Sequence, residues 1–256
     1  MHTILLALLL AISSPKAEEQ FRLGKQLVEA NCAECRGYDP ANLRLAVTVL
    51  RDAIRLGYSD QRAVHRLLLQ AYGSLGDQPN VKREIDTILE LDPDDREVRL
   101  MWIDTLPQER RLEELRAFAA KWPDVAVGHY LVAQATSGEE SAKSARRWLE
   151  LAGVDEQREL MAGLYAGRSE AELRGILKSD PTIYPASYAL ALLLIDKQGS
   201  DGFEQLRAFY RNAPAPIATA FSAAIFRQLR AAGRIAEGQR LLQEFGTKLE
   251  EGAKQH

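Results

Sequence analysis

The sequence has little of what enzymes and nucleic-acid binders need. Four histidines (His2, His65, His129, His256) lie far apart, and none stands four residues from another, so the commonest helical metal pair is missing. No glycine-rich phosphate loop, G-x-S-x-G elbow or H-E-x-x-H stretch occurs. The formal net charge is only −3 over 256 residues, and the basic residues are scattered through amphipathic segments. That argues against a nucleic-acid or anionic-membrane partner. Paired carboxylates such as Glu113–Glu114, Glu139–Glu140 and Asp94–Asp95 fall on expected solvent faces or helix caps, so they do not define an acid–base site. No enzyme activity and no cofactor are therefore expected. No stretch alternates apolar and polar residues as a half-buried strand would.

What is present is enough apolar sequence, 46% of residues, to bury a sizeable core. One apolar run, Ile4 to Ile12, has the length of a secretory h-region and is followed by the small residues Ser13, Ser14 and Ala17. Residues 1–17 are expected to be a signal peptide cut between about 13 and 17, making the protein periplasmic or otherwise exported. The segment before the run, Met1 to Thr3, carries no Lys or Arg, and a cut after Ala17 would place Pro15 at the −3 position. A cut after Ser13 places Ala11 there instead. An uncleaved anchor or a buried N-terminal helix is the competing reading, although the run is shorter than the ~20 residues of a membrane span. No other segment is long and apolar enough to span, so no membrane span is expected after signal removal.

A period organises residues 18–256. Pro93, Pro123, Pro181 and Pro214 each close an amphipathic stretch (IDTILELDP, LRAFAAKWP, LRGILKSDP, LRAFYRNAP), at spacings of 30, 58 and 33 residues. The same stretch recurs near Tyr58, Gly153 and Gly246, which gives seven units. Within a unit, apolar residues recur at i, i+3, i+4 and i+7 in two blocks, the pattern of two amphipathic helices packed as a pair. The predicted pairs are 18–31 with 41–56, 61–75 with 81–90, 95–105 with 108–121, and 125–136 with 139–151. They continue with 156–165 and 170–178, 185–196 and 202–211, and 216–232 and 235–245. Ser169 with Glu172, and Asp94 with Glu97, have capping-box spacing at expected helix starts. Pro185 and Pro216 fit first turns, where a missing N–H costs nothing.

The clearest unit, residues 62–95, carries Leu68 and Tyr72 on its first helix, Gly76 in the turn, Ile85, Ile88 and Leu89 on its second helix, and Pro93 at its end. It resembles the tetratricopeptide (TPR) repeat. The last unit repeats the glycine at Gly233, with Leu242 and Phe245 behind it. Leu69 and Val81 depart from the family's small residues, and the middle units are short. The resemblance implies an all-α, right-handed superhelical solenoid of about seven antiparallel helix hairpins, whose first helices line a concave groove. It also implies a scaffold or adaptor that holds a protein or peptide there, since such arrays bind rather than catalyse. By the family's pattern the groove would present Arg66, Leu100, Tyr130, Tyr188 and Phe221, with Leu160 a further candidate. Gln70 beside Arg66 would form a polar end suited to a carboxylate. Core packing is the competing role for the aromatic members.

Cys32 and Cys35 form a Cys-Ala-Glu-Cys element between the first two predicted helices. In an exported protein a disulfide stapling this connection is one reading, and a reactive dithiol is another. Residues 24–37, GKQLVEANCAECRG, also resemble the attachment segment of a c-type cytochrome, but Arg36 stands where that family has its axial histidine. Arginine offers no lone pair to iron. A structural zinc would need a second ligand pair that the sequence does not place nearby. The alternative function is thus a thiol-redox or haem-handling accessory factor whose repeats dock a client, and a purely structural repeat module is a third.

Overall fold

The computed structural model describes residues 13–31, 38–197 and 201–254. Among them all regular structure is helical, with no strand and fourteen helices that pack mainly with their neighbours in sequence. The first six are α1 (Pro15–Ala30), α2 (Pro40–Arg55), α3 (Gln61–Leu75), α4 (Gln78–Leu91), α5 (Arg96–Asp104) and α6 (Gln108–Lys121). Next come α7 (Ala126–Ala135), α8 (Gly138–Leu151), α9 (Val154–Leu164) and α10 (Glu170–Ser179). The last four are α11 (Tyr184–Asp196), α12 (Gly202–Asn212), α13 (Ala215–Ala231) and α14 (Ile235–Ala253). The chain divides into two compact units, residues 1–111 and 112–256. No described helix is long and apolar enough to cross a membrane.

Side-chain caps mark six of the helix starts. Ser14, Asp39, Asp60, Asp77 and Asp95 each accept a hydrogen bond from a backbone N–H of the turn that follows, satisfying one of the donors a helix start leaves open. Ser169 and Glu172 form a complete capping box at α10. The other expected box is displaced by one residue. Asp95, not Asp94, caps α5 by accepting from the Val98 amide, and the Glu97 carboxylate turns away to Arg66. Proline explains a second difference: α4 starts at Gln78 rather than Val81, because Pro79 sits in the first turn, where no N–H is needed. Gly76 ends α3 at φ 69°, a left-handed conformation that a side chain would strain.

The final helix runs to Ala253, eight residues past its expected end at Phe245. Gly246 reads as a stop, yet its propensity cost of about 1 kcal/mol is outweighed by tertiary contacts further along. Lys248 Nζ donates to the carbonyls of Tyr210 (2.7 Å) and Arg211 (3.2 Å) at the end of α12. Thr219 Oγ1 donates to the Leu249 carbonyl at 3.0 Å. Gly252 then lies against α13 so closely that a Cβ there would meet the Ala215 carbonyl oxygen at 2.3 Å.

Helices α1 and α2, α3 and α4, α7 and α8, α11 and α12, and α13 and α14 pack as hairpins. Side-chain bonds then link one repeat to the next. In residues 112–256, Tyr130 Oη donates to the Leu160 carbonyl 30 residues on, and Arg146 pairs with Asp180, 34 residues on. In residues 1–111, Arg66 reaches Asp95 across 29 residues. These offsets reproduce the proline period of the sequence. The fifth predicted pair is built differently: α9 packs against α7, α11 and α13, while α10 lies against α8 and α11. The contact of α9 with α13 skips a hairpin, so in this unit the inner helices close onto one another. Trp148, Tyr165, Phe209 and Tyr210 lie fully buried in the resulting core. In residues 1–111 one core gathers Val28, Leu43, Leu50, Leu68 and Tyr72, and a smaller one Leu69, Ile85, Ile88 and Val98.

Candidate functional site

An open cleft of about 490 Å³ lies between α3 and α5, the first helices of consecutive repeats in residues 1–111. Its apolar wall is Leu67, Leu69, Val81, Val98 and Met101, and its polar rim is Arg66, Gln70, Ser74 and Glu97. Leu69 and Val98 are buried and fix the floor, whereas Met101 is 40% exposed at the mouth. An unbranched thioether there adapts to differently shaped apolar groups. The amphipathic register of α3 and α5 puts these residues together: Arg66, Gln70, Gly73 and Ser74 recur at i+3 and i+4 along α3, as do Glu97, Val98 and Met101 along α5.

The rim is held by an ion-pair network. Arg66 Nη2 lies 2.6 Å from Asp95 Oδ1, Arg66 Nε donates to Asp95 Oδ2 at 3.1 Å, and Arg66 Nη1 donates to Glu97 at 2.9 Å. Arg62 adds contacts to Asp92 (2.8 Å) and Asp95 (3.3 Å). Burial pushes the Asp95 carboxyl up, but the Arg66 hydrogen bonds, the Val98 amide and the nearby guanidinium charges outweigh it and hold it below its ordinary value. The Asp95 hydrogen bond likewise raises Arg66, against the effect of its own burial. The carboxylate that Arg66 and Gln70 were expected to attract is therefore supplied in part by the protein itself. What the cleft leaves open to a partner is an apolar slot with the Gln70 and Ser74 side beside it.

The groove residues expected from the repeat pattern separate by unit. Arg66 and Gln70 line the α3–α5 cleft. Leu100 is half-buried on α5 but does not line it; the next residue, Met101, does. Tyr130 and Tyr188 are only 8% exposed and sit in the core of residues 112–256. Tyr130 meets Trp148 edge-on at 5.3 Å between ring centroids, and Tyr188 lies 5.1 Å from Phe221, itself half-buried. Leu160 packs against the same core. The physical reason is the α9–α13 contact: where inner helices touch, residues aimed at a groove meet one another instead of a partner. Packing accounts for these rings, and in this arrangement a partner would find little of Tyr130 or Tyr188 to touch. Cys32 and Cys35 lie outside the described residues.

The repeat pattern does not mark Leu67, Val81 or Met101 as groove residues, although Leu67 and Met101 each stand one position after a residue that it does mark, Arg66 and Leu100. The repeat pattern names one position along each first helix and leaves no room for helix rotation, and a rotation of one residue exchanges Leu100 for Met101.

A second cleft, about 520 Å³ between α6, α7 and α8, is lined by Arg116, His129, Lys143, Arg146 and Arg147 among others. Its arginines are engaged: Arg116 holds Glu140 through two 2.7 Å bonds, Arg146 pairs with Asp180, and Arg147 with Glu150. Among the described residues no cluster of His, Cys, Asp and Glu is arranged to hold a metal ion. No protein-family model matches the chain, and a comparison with curated proteins finds no relative.

Proposed function

We propose that this chain is an exported TPR-type scaffold or adaptor that holds a segment of another protein in the α3–α5 cleft. The observation that carries the reading is the cleft itself: an open apolar slot between first helices of consecutive repeats, with a preorganised polar rim. A rim fixed by Arg66, Asp95 and Glu97 loses little side-chain freedom when a partner docks. The partner's share is an apolar anchor residue, with backbone polar groups for Gln70 and Ser74. The reading assigns binding and no catalysis.

Crosslinking from a photoreactive residue at position 70, in cells, tests it. A discrete adduct is expected, and Met101→Glu should weaken its formation at least about tenfold while changing stability by no more than about 0.5 kcal/mol, as surface substitutions do. Capture that ignores Met101→Glu, or no adduct at all, would sink the proposal.

Export fits the N-terminal chemistry. A cut after Ser13 would keep Ser14, which caps α1, whereas a cut after Ala17 would remove the first helical turn. In an oxidising compartment Cys32 and Cys35 would form a disulfide across the α1–α2 connection. Buried Asn31 already ties that connection: it accepts from the Asp39 amide at 3.0 Å and donates to the Leu27 carbonyl at 2.8 Å. A bridge closing so short a loop adds at most about 2 kcal/mol on chain-entropy grounds. The Cys32→Ser/Cys35→Ser double variant is therefore expected to lose up to about 2 kcal/mol of unfolding free energy in urea and to keep partner capture. An intact fold with lost thiol exchange on the captured client would favour the dithiol reading instead.

A further inference from the structure

The last hairpin presents the same helix seat that α5 fills earlier in the chain, here with its apolar residues exposed. Gly76 and Gly233 mark equivalent turns, at φ 69° and 74°. Counting from them, Leu69 corresponds to Phe226, Val81 to Gly238 and Ile85 to Leu242. In the earlier hairpin, α3–α4, Leu69 and Ile85 are covered by α5 through Val98, and Ile85 is 2% exposed. In α13–α14 the equivalent Leu242 is 49% exposed and Ile235 beside it 57%. Phe226, Leu229, Ile235 and Leu242 line an apolar cleft of about 370 Å³ there.

Charge specifies what would fit. Arg230 lines the cleft, and Arg227 stands one turn earlier on the same face of α13. Both are exposed, and neither has a carboxylate partner among the described residues. Arg234 at the turn is different, since it pairs with Glu237 at 2.8 Å. In the filled seat Arg62 and Arg66 of α3 hold Asp95 and Glu97 at the start of α5. By the same count their counterparts are Thr219 and Ala223, so the exposed arginines here stand about two turns further along α13. We propose that the α13–α14 seat docks an amphipathic helix of a partner protein, apolar at i, i+3, i+4 and i+7, with acidic residues set against Arg227 and Arg230. This surface is separate from the α3–α5 cleft, so the two sites can fail independently.

A fluorescently labelled amphipathic peptide of about four helical turns, with leucines on one face and flanking glutamates, is the probe. Its counterpart carries lysine at each glutamate position. The full chain should bind the acidic peptide at least about tenfold more tightly than the basic one by anisotropy, with affinity falling as salt rises. Leu242→Glu should weaken that binding at least about tenfold, Arg227→Glu/Arg230→Glu should reverse the charge preference, and Met101→Glu should leave it unchanged. Ile235→Glu serves the same purpose if Leu242→Glu lowers the melting temperature. Equal affinity for the two peptides, binding of neither, or insensitivity to these substitutions would overturn the proposal. So would a sedimentation result in which the chain dimerises, Leu242→Glu abolishes the dimer, and the acidic peptide does not compete.

Discussion

Trp148→Ala is expected to lower the unfolding free energy by about 3–5 kcal/mol, the range for removing a large buried aromatic side chain. Trp148 is 0% exposed on α8, its ring meets Tyr130, and its indole N–H donates to Glu156 at 3.3 Å. The loss combines transfer of the ring, the cavity left among rigid neighbours, and an aromatic contact worth about 0.5–1.5 kcal/mol beyond its area. Relaxation is restricted, because Gly163 on α9 already approaches Tyr130 closely enough that a Cβ there would lie 3.2 Å from its hydroxyl. Trp148→Phe keeps most of the volume and should cost about 1–2 kcal/mol. Urea unfolding measures both, and a loss below about 1 kcal/mol for the alanine variant would show that the core around Tyr130 is not packed as described.

Asp95→Ala should cost about 2–3 kcal/mol and also disturb the cleft. The substitution removes the cap of α5, worth about 1 kcal/mol, and a buried carboxylate whose charge-assisted bonds contribute about 1.5–3 kcal/mol. Arg62 and Arg66 are partly exposed and can hydrate when released, which keeps the cost below that of stranding a buried charge. Arg66→Ala should cost less, because Asp95 keeps Arg62 and the Val98 amide. Both variants free the rim of the α3–α5 cleft and should weaken capture from position 70. Acid adds a second signature. The Asp95 carboxyl titrates lower in the folded protein than its unfolded value of about 3.9, so its contribution is complete above about pH 4. It is lost as the pH falls through the depressed folded value. Melting temperatures followed downward from about pH 6 should therefore fall less steeply for Asp95→Ala than for the parent protein. Identical acid limbs would mean that Asp95 contributes no such linkage.

The helices were legible because their causes are local. Apolar residues at i, i+3, i+4 and i+7, prolines tolerated in first turns, the capping box at Ser169 and the left-handed Gly76 each act within one turn of chain. Some boundaries that differ have local causes too, as Pro79 in the first turn of α4 does, but others are decided at a distance. Gly246 stops no helix because Lys248 and Leu249 reach α12 and α13, and Asp94 gives way to Asp95 because Arg62 and Arg66 of α3 hold the latter. The candidate site was half legible. Arg66 and Gln70 came from the repeat pattern, while Met101 required the actual rotation of α5.

By itself, then, the sequence determined an all-helical chain, its period of about 30 residues and most of its helix starts, since these follow from spacing and capping along a single strand of chain. Which inner faces stay open was decided only in three dimensions. The same aromatic spacing that could line a groove packs Tyr130 and Tyr188 into a core, because α9 reaches past one hairpin to touch α13. Between α3 and α5 the inner face stays parted, and Met101 remains at its mouth. Helix periodicity fixes which residues share a face, but the curvature with which successive helices meet sets whether that face closes on itself or is left for a partner.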